Sequence, residues 1–412
     1  MKMTPAILFL LFSFLSAAGQ KTIKGRVVNE STGTAVPGSS VFITGTSKGT
    51  ITDNAGNFEL VNVPGGKHEL VISSIGYETN VFSFSEEQLP LNLKVELQIK
   101  VKELQNVIAG SSVEEGWDKW GKTFMENFVG TTDNASKCRI KNEQAIRFRY
   151  YKQTNHLVAY CDEPVILENK ALGYTIKYQL ENFEVNFNEH SMFYLGYSLF
   201  ESWVDENKSR KEKWEEWRRE AYEGSIMHFM RSLFTNSLAR EGFEVRRMYR
   251  VPNNEKLRIK EWYKATRTIK KTGNNEVVLG MADWLAQFRK DSAKYYGALL
   301  HEPDYNDIYA PDILTADSLI IQSLENFKVL HYEDYLFITF KKEKEDKDYV
   351  AMQHPPHKAG FQRSFVILLN DKLISLDKSG NYYNPQDFFT SGYWSWGEKM
   401  ANSLPLDYEV EK

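Results

Sequence analysis

One serine stands in a pattern that hydrolases use to hold a nucleophile. Ser47 lies between Gly45 and Gly49 in the order Gly-x-Ser-x-Gly. In an α/β-hydrolase that pattern follows a strand and opens a helix, which lifts the serine hydroxyl above the sheet. Here the residues that follow, Thr50 to Asp53, begin another short strand. The pattern therefore predicts a hairpin loop, and we expect no catalytic residue in it.

Two further groups have side chains of the kind that bind metal ions. His354 and His357 flank two prolines, and a polyproline II segment would set their rings about 9 Å apart. Since each Zn–N bond is about 2 Å long, one zinc ion reaches both rings only if a turn brings them together, and loop histidines are the favoured interpretation. The second group is an acidic run comprising His301, Glu302, Asp304, Asn306, Asp307 and Asp312. It lacks the glycine at position six and the closing glutamate of a calcium-binding loop, so we expect surface loops with no metal ion and no cofactor.

Aromatic residues make up 14% of the chain and crowd towards its C-terminus. We single out Tyr393, Trp394 and Trp396 as a possible aromatic contact surface, because such rings can stack on a sugar. The same rings can equally form part of a hydrophobic core, since Tyr and Trp combine an apolar body with a polar group. The sequence leaves both alternatives open.

The first element that could position these groups is a run of short strands between residues 21 and 101. Apolar and polar residues alternate there with a period of two, most clearly from Leu91 to Ile99, which predicts strands with one buried face. Turn residues such as Pro37-Gly38 and Asp53-Asn54 separate the runs. We count seven candidate strands, and this spacing is typical of a β-sandwich.

Three segments of this sandwich carry a resemblance to a known family: IKGRVV, AVPGSSVFITGTSKGTITDNAGNFEL and ISSIGYET. They resemble the carboxypeptidase regulatory-like domain, a transthyretin-like (prealbumin-like) sandwich. The matching positions are Gly25, Pro37, Gly38, Val41, Gly45, Thr46, Gly49, Thr52, Asp53, Gly56, Phe58, Gly76 and Tyr77. The resemblance extends to the N-terminal extension of TonB-dependent receptors of Bacteroidota, and it implies a protein of the cell envelope.

That family is regulatory and does not imply peptidase activity. A zinc carboxypeptidase needs a His-x-x-Glu pair and a distant histidine, and none of the eight histidines has a glutamate three residues later. The net charge of −4, without a stripe of lysine and arginine, also argues against a nucleic acid partner.

Behind the sandwich, the chain predicts a β-rich region with two or three amphipathic helices, so the fold class is mainly β or α+β. Helical spacing of apolar residues occurs at 117–129, 205–221 and 226–238. Ser225 is a good N-cap for the third helix, and Gly242 follows its end. Two further segments resemble exported Bacteroidota proteins that carry the same N-terminal module and have no assigned activity. These segments are the residues around Tyr222 to Phe243 and the C-terminal SGYWSWGEKMANSLPLDYEV.

The N-terminus predicts export. Lys2, an apolar run from Ala6 to Leu15 and small residues before Gly19 are typical of a secretory signal peptide, and the apolar run is too short to span a bilayer. We therefore expect a signal peptide at 1–19, the sandwich at 20–103, a linker at 104–116 and an α+β region at 117–412. A division of this last region by helices near 205–242 is left open. No transmembrane segment is expected in the mature chain.

The two cysteines, Cys138 and Cys161, both lie in the exported part, where a disulfide bond is permitted. We expect their strands to be neighbours in one sheet. A bond between them would contribute about 3 kcal/mol to stability. Two buried thiols are the alternative.

These patterns together predict a non-enzymatic protein of the periplasm or outer membrane that binds a protein or polysaccharide partner through its interaction module. The alternative is an accessory subunit of an envelope hydrolase acting on peptides or glycans, or such a hydrolase itself. A hydrolase needs a nucleophile or metal ion with a positioned base, and the sequence displays none beyond the patterns rejected above.

Overall fold

A computed structural model describes residues 21–100, 112–267, 269–272, 275–278, 280–353 and 357–410, with the backbone alone for 269–272 and 275–278. The predicted signal peptide and His354 lie outside the described residues. The chain forms two compact units. Unit 1 comprises Met1–Val129, Asp133–Arg218 and Leu404–Lys412, and unit 2 comprises Gly130–Thr132 and Arg219–Ser403.

Within residues 21–100, seven strands form a β-sandwich, which confirms the predicted fold class. The strands are β1 (Ile23–Asn29), β2 (Ser40–Ile43), β3 (Gly49–Ile51), β4 (Asn57–Leu60), β5 (Lys67–Ser73), β6 (Asn80–Ser85) and β7 (Leu91–Leu97). One sheet has the order β4-β1-β7 and the other β3-β2-β5-β6. The alternating apolar residues of both sheets meet in one buried core, as their period of two predicts.

Gly25 is required where β1 passes under a neighbouring ring. A Cβ atom at this position would lie 2.4 Å from the Leu93 carbonyl oxygen and 2.7 Å from Cζ of Phe58. Both distances are far below van der Waals contact. Only glycine lets the Phe58 side chain fill the core beside β1.

A separate seven-stranded sheet follows the sandwich in unit 1, and we call it the second sheet. Its strands are β8 (Ser112–Glu115), β9 (Cys138–Ile140), β10 (Ile146–Tyr151), β11 (His156–Cys161), β12 (Val165–Asn169), β13 (Tyr174–Asn186) and β14 (Ser191–Ser202). Helix α1 (Trp117–Phe124) packs on this sheet through Phe124, whose ring lies 4.7 Å from that of Phe183 and 5.0 Å from that of Phe128.

Strand β8 corrects the predicted linker at 104–116. Residues 112–115 pair with β10, with Glu115 opposite Phe148 and Ser112 opposite Tyr151. The small residues before Gly116 suggested a linker, but the edge of β10 offers this segment backbone partners that local sequence does not reveal. The first part of the predicted linker, up to residue 111, lies outside the described residues.

Within unit 1, the sandwich is fastened to the second sheet by backbone and side-chain contacts. The backbone N–H of Gly45 donates to the carbonyl of Ser198 over 2.8 Å, and Thr46 bridges to Leu199 on β14. The Ser73 hydroxyl donates to Oε1 of Gln179 over 3.0 Å. A small apolar cluster of Phe42, Val71 and Leu199 is also buried here. The sandwich is therefore built into unit 1.

The C-terminal segment returns to the same loop of the sandwich. The backbone N–H of Leu406 donates to the Gly45 carbonyl over 2.6 Å. Asp407 accepts from the Ser47 backbone over 2.9 Å and from the Ser47 hydroxyl. The Gly-x-Ser-x-Gly pattern thus forms a loop that fastens the C-terminal segment, and its serine points to a carboxylate.

The boundary between the two units lies within helix α2 (Lys208–Tyr222), between Arg218 and Arg219. Of its residues only Trp214 is buried, so most of the helix surface is solvated, as its balanced charges indicate. The Trp214 indole N–H donates to the Lys170 carbonyl over 3.1 Å.

The described part of unit 2 contains three sheets, eight α-helices and two hydrophobic cores. The helices are α3 (Ile226–Phe234), α4 (Leu238–Glu241), α5 (Asn254–Thr266), α6 (Met281–Leu285), α7 (Lys290–His301), α8 (Ala316–Leu319), α9 (Lys347–Met352) and α10 (Tyr393–Gly397). The strands are β15 (Phe243–Pro252), β16 (Ile269–Thr272), β17 (Asn275–Val278), β18 (Tyr305–Leu314), β19 (Ile320–Ser323), β20 (Phe327–Leu330), β21 (Tyr335–Lys344), β22 (Phe361–Leu368), β23 (Ile374–Asp377) and β24 (Phe388–Gly392).

The larger sheet has the order β18-β15-β21-β22-β24, and a smaller one has the order β19-β20-β23. Helix α3 begins at the predicted N-cap, because the Ser225 hydroxyl accepts from the His228 backbone N–H over 3.0 Å. Phe229, Met230 and Leu233 of α3 enter the core against Leu336 and the other inward residues of the larger sheet.

Residues 253–304, between β15 and β18, form an insertion that the sequence patterns did not predict. It contains α5, α6, α7 and the hairpin β16-β17, around a small core of Ile259, Trp284 and Leu299. Helix α5 buries only Ile259, so its sequence shows little apolar periodicity. No described helix of the chain has the length and apolar character needed to cross a membrane.

Candidate functional site

The predicted aromatic surface at the C-terminus is wrong for Trp394, which belongs to the core. Its side chain is 3% exposed, and its ring meets that of Phe229 edge-on at 5.3 Å. The indole N–H donates to the carbonyl of Gly224 over 2.7 Å. Helix α10 is therefore held against the turn before α3, and the Trp394 ring is not available to a ligand.

Tyr393 and Trp396 are half-buried and form a cluster with Tyr349. The three ring pairs have centroids 5.1, 5.6 and 5.3 Å apart and meet at angles between 51° and 74°. The Trp396 indole N–H also donates to Oγ1 of Thr131 over 3.1 Å. Rings that meet at such angles pack well on one another, but they do not present the flat surface that a sugar ring needs.

The predicted disulfide bond is not formed, since Cys138 and Cys161 are both free thiols. Cys138 lies opposite Asn169 on β12, whereas Cys161 lies opposite Ile146 on β10. Their strands are therefore not neighbours in the sheet. Burial raises the pKa of the Cys138 thiol to about 12 and also raises that of Cys161, so both are inert thiols at neutral pH.

The acidic run at 301–312 is used in ion pairs. Asp304 lies 2.8 Å from Lys256 and 2.9 Å from Lys260, and Asp307 accepts two hydrogen bonds from Arg250. These cations neutralise the carboxylates that suggested a calcium site. Among the described residues, no group of three histidine, cysteine or acidic side chains is arranged to hold a metal ion.

The outer face of the larger sheet of unit 2 is rich in aromatic rings, which the sequence analysis missed. We call Tyr309, Tyr335, Phe337, Phe365 and Phe389 the aromatic face. In the sheet register Phe337 pairs with Phe365, while Tyr335 and Phe389 both pair with Ile367 on β22. Paired residues point to the same side of a sheet, and the opposite side of β21 carries the core residues Leu336, Ile338 and Phe340.

Three rings of the aromatic face are in contact. The Phe337 ring lies 4.7 Å from that of Tyr309 and 5.2 Å from that of Phe365, with the second pair stacked at 30°. Tyr309 is 46% exposed and Phe389 is 44% exposed, whereas the rings between them are half-buried. A row of rings held by a sheet costs little conformational entropy when a partner binds.

Arginine–carboxylate pairs border the aromatic face. Arg250 donates to both oxygens of Asp307, over 2.8 and 3.0 Å, and its guanidinium lies 4.8 Å from the centre of the Tyr335 ring. Arg246 donates to Glu244 over 2.8 Å. Asp307 raises the pKa of Arg250, and Lys341 with Arg246 lowers the pKa of Glu244. The face thus offers apolar rings within a border of fixed charges, as protein-binding surfaces do.

A signal in the sequence could have indicated this face. In β21 the run YLFITF has apolar or aromatic residues at both odd and even positions, and Thr339 is its one polar residue. A strand with one wet face shows polar residues at every second position. The largely apolar run of β21 therefore indicates that both faces of the sheet carry apolar side chains.

Two carboxyl groups of unit 2 have strongly raised pKa values. Burial, followed by the nearby charges of Glu223 and Glu220, raises the pKa of Glu343 to about 7, although Gln362 donates to it over 2.9 Å. Burial raises the pKa of Glu398 to about 8, against a hydrogen bond from the Ile226 backbone at the start of α3.

Comparison with known proteins identifies the sandwich. Residues 23–109 match the family described as the CarboxypepD_reg-like domain. A TonB-dependent receptor of Formosa agariphila is 40% identical over 96 residues, which cover 22% of this chain and 9% of the receptor. The match therefore spans about a tenth of the receptor.

Solved structures add weak similarities. A cohesin–X-dockerin complex of Acetivibrio cellulolyticus aligns with 18% of this chain and 51% of its own, at 24% identity and a TM-score of 0.15. A putative membrane-associated protein of unknown function from Bacteroides fragilis aligns with 87% of this chain and 94% of its own, at 9% identity and a TM-score of 0.16. Scores this low carry no argument about fold or function. By the family match, residues 23–109 are a carboxypeptidase regulatory-like domain.

Proposed function

We propose that this chain is an exported, non-enzymatic binding protein of the periplasm or outer membrane, and that it binds another envelope protein through the aromatic face. The observation that carries the proposal is a row of aromatic rings on one face of the sheet, three of them in contact, with Tyr309 and Phe389 exposed at its two sides. Aromatic residues and arginine are enriched at the centres of protein interfaces.

The N-terminal domain supports the envelope setting. This part of the chain is similar to a segment of a TonB-dependent receptor, and residues 23–109 match a regulatory-like domain family. In unit 1 the module is joined to the second sheet through Phe42, Val71 and Leu199. We infer that the N-terminal domain is a rigid support for the chain and that unit 2 provides the surface that contacts the partner protein.

A protein partner fits the aromatic face better than a polysaccharide does. Ile313 and Ile367 lie in the same rows as the rings, opposite Arg246 and Tyr335. Branched aliphatic side chains offer a sugar ring no flat surface, but they add apolar area to a protein contact. A polysaccharide remains the other partner class, and the test distinguishes the two.

The test is affinity capture from solubilised envelope fractions, with partners identified by mass spectrometry. The double variant Tyr309→Ser/Phe389→Ser removes both exposed rings and leaves the half-buried ones in place. Tyr295→Ser is the matched control, because Tyr295 is 48% exposed on α7, away from the aromatic face. We expect the wild type and the control to capture the same envelope protein and the double variant to lose it.

Equal capture by all three proteins would overturn the role of the aromatic face. Retention of all three on purified envelope polysaccharide, with no captured protein, would replace the protein partner by a glycan. Circular dichroism of each variant checks that its fold is kept. A loss of capture by a folded variant can then be assigned to the replaced surface residues.

The second candidate is an envelope hydrolase or its accessory subunit, and the raised pKa of Glu343 favours it. A carboxyl group that titrates near pH 7 suits a general acid. The described groups that act on Glu343, however, are Gln362, two further carboxyl groups and the Tyr393 hydroxyl. Hydrolysis of peptide or glycan substrates by the wild type, abolished by Glu343→Gln with the fold intact, would establish this candidate instead.

A further inference from the structure

The insertion at residues 253–304 differs from the rest of the chain in charge. It carries ten lysine and arginine residues against seven aspartate and glutamate residues, whereas the whole chain has a net charge of −4. The insertion therefore has a net charge of +3, and it connects β15 to β18, two paired strands of the larger sheet.

The helices of the insertion run antiparallel, which gives it a base and an outer end. Near the base, the Tyr295 hydroxyl on α7 donates to Glu255 in the first turn of α5 over 2.6 Å. At the outer end, the Trp284 indole N–H of α6 donates to Thr266 at the end of α5 over 2.9 Å. We call Trp262, Lys264, Arg267, Met281, Arg289 and Lys290 the tip.

The cations of the base and those of the tip have different surroundings. At the base, Lys256 and Lys260 pair with Asp304 at 2.8 and 2.9 Å, and Arg258 lies 3.6 Å from Glu255. The four tip cations are all exposed, and among the described carboxylates none lies within ion-pair distance of them. Glu261, Asp283 and Asp291 are the acidic residues of the neighbouring helical turns.

Apolar side chains accompany these cations. Trp262 is 38% exposed, with the inner part of its ring held by Trp284, Phe288 and Tyr296 at centroid distances between 5.2 and 5.4 Å. Met281, at the start of α6, is also exposed. Fixed and partly exposed indole rings with cations around them are the side chains that proteins place at the boundary between lipid headgroups and acyl chains.

We propose that the tip binds the surface of an anionic phospholipid membrane. A layer of phosphate headgroups offers several anions, which suits the four exposed cations, for which the described part of the chain shows no carboxylate partner. The apolar layer beneath it accepts Trp262 and Met281. Lysine and arginine side chains near such a surface are attracted to it, so four cations and a tryptophan support reversible attachment. This inference concerns another surface than the aromatic face and is independent of the partner bound there.

The test is cosedimentation of the purified chain without residues 1–19, since the apolar leader would itself bind lipid. The vesicles are phosphatidylcholine with or without phosphatidylglycerol, at low and at high salt. We expect binding only to the anionic vesicles and its loss at high salt, because salt screens exposed charges.

The diagnostic variant is Lys264→Glu/Arg289→Glu, with Lys122→Glu/Lys208→Glu as the control of equal net charge. Lys122 and Lys208 are exposed lysines of unit 1, each near a single glutamate. We expect affinity for anionic vesicles to fall at least about tenfold in the tip variant, and the control to stay within about twofold of the wild type.

A second variant, Met281→Ser, keeps all charges and should weaken binding by a smaller factor. Equal binding to neutral and anionic vesicles, equal losses in the tip variant and the control, or no binding by the wild type would each overturn the proposal. Melting curves of all variants confirm that they are folded.

Discussion

At the scale of single residues, His228 of α3 shows how burial sets a protonation state. Its ring lies 4.7 Å from that of Tyr222 and 5.0 Å from that of Phe243, and the Gly224 backbone N–H donates to its Nδ1 over 3.2 Å. Burial lowers the pKa of this histidine to about 4, although Glu241 acts in the opposite direction. The histidine is therefore neutral in the folded protein at neutral pH.

We expect His228 to weaken the fold in acid. Its folded pKa of about 4 lies below the ordinary value of 6.5, so the unfolded chain binds the proton first as the pH falls through that window. The stability is fully present above pH 6.5 and declines towards pH 4. In His228→Leu the loss of melting temperature between pH 7 and pH 5 should be smaller than in the wild type. An equal loss in both proteins would assign the acid sensitivity elsewhere.

Glu343 has the opposite pH dependence. Its folded pKa of about 7 lies above the ordinary 4.5, so its protonated form is favoured in the fold and stability falls as the pH rises from 4.5 to 7. Glu343→Gln should therefore raise the melting temperature at pH 8 and change it little at pH 4.5. Glu206→Gln, at an exposed position, is the control and should change neither value. A destabilised Glu343→Gln at pH 8 would contradict this account.

The same scale shows which contacts sequence cannot reveal. Trp394 stands in a run of aromatic residues and was placed on a candidate surface, but its indole donates to Gly224, 170 positions earlier. Phe389 stands in the same aromatic run and is exposed, as is Tyr309 on β18. Residue type alone does not separate the two cases, because exposure depends on which strands become neighbours.

At the scale of elements, the sandwich strands were predictable because their signals are local. Alternation and turn residues within a few positions specify β1 to β7. Strand β8 and helices α5 and α7 were not predicted, since their hydrogen-bond partners and core contacts come from distant segments. Tertiary contacts override local preference in such elements.

Gly25 provides a test of packing within the sandwich. We expect Gly25→Ala to destabilise the protein by about 1–3 kcal/mol, because the new methyl group collides with Phe58 and the Leu93 carbonyl. Gly116→Ala is the matched control, since nothing lies within 4 Å of its added Cβ and its φ of −97° suits alanine. Chemical denaturation measures both. Equal stability of the two variants would show that the close approach at Gly25 can relax.

At the scale of the whole molecule, the sandwich has its own core and also a contact with the second sheet. We expect residues 21–103, expressed alone, to give an all-β circular dichroism spectrum, because the core of this domain is complete within it. Its melting temperature should lie below that of the full chain, since Phe42 and Val71 lose Leu199. A helical or disordered spectrum would contradict the first expectation.

Export is a prediction from the N-terminal sequence, which lies outside the described residues. We expect the native protein to begin at Gly19 or Gln20, because small residues precede this point after the apolar run. Mass analysis of the N-terminal peptide from the source cells measures it directly. An intact Met1 in the mature protein would remove the basis for an envelope location.

The most direct measurement of the central claim is site-specific photocrosslinking in living cells. A photoreactive amino acid replaces Tyr309, Phe389 or the control Tyr295 in turn, and the crosslinked products are separated and identified by mass spectrometry. If the aromatic face binds an envelope protein, positions 309 and 389 give the same protein adduct and position 295 does not. Crosslinking of that protein at all three positions, or at none, would contradict the account.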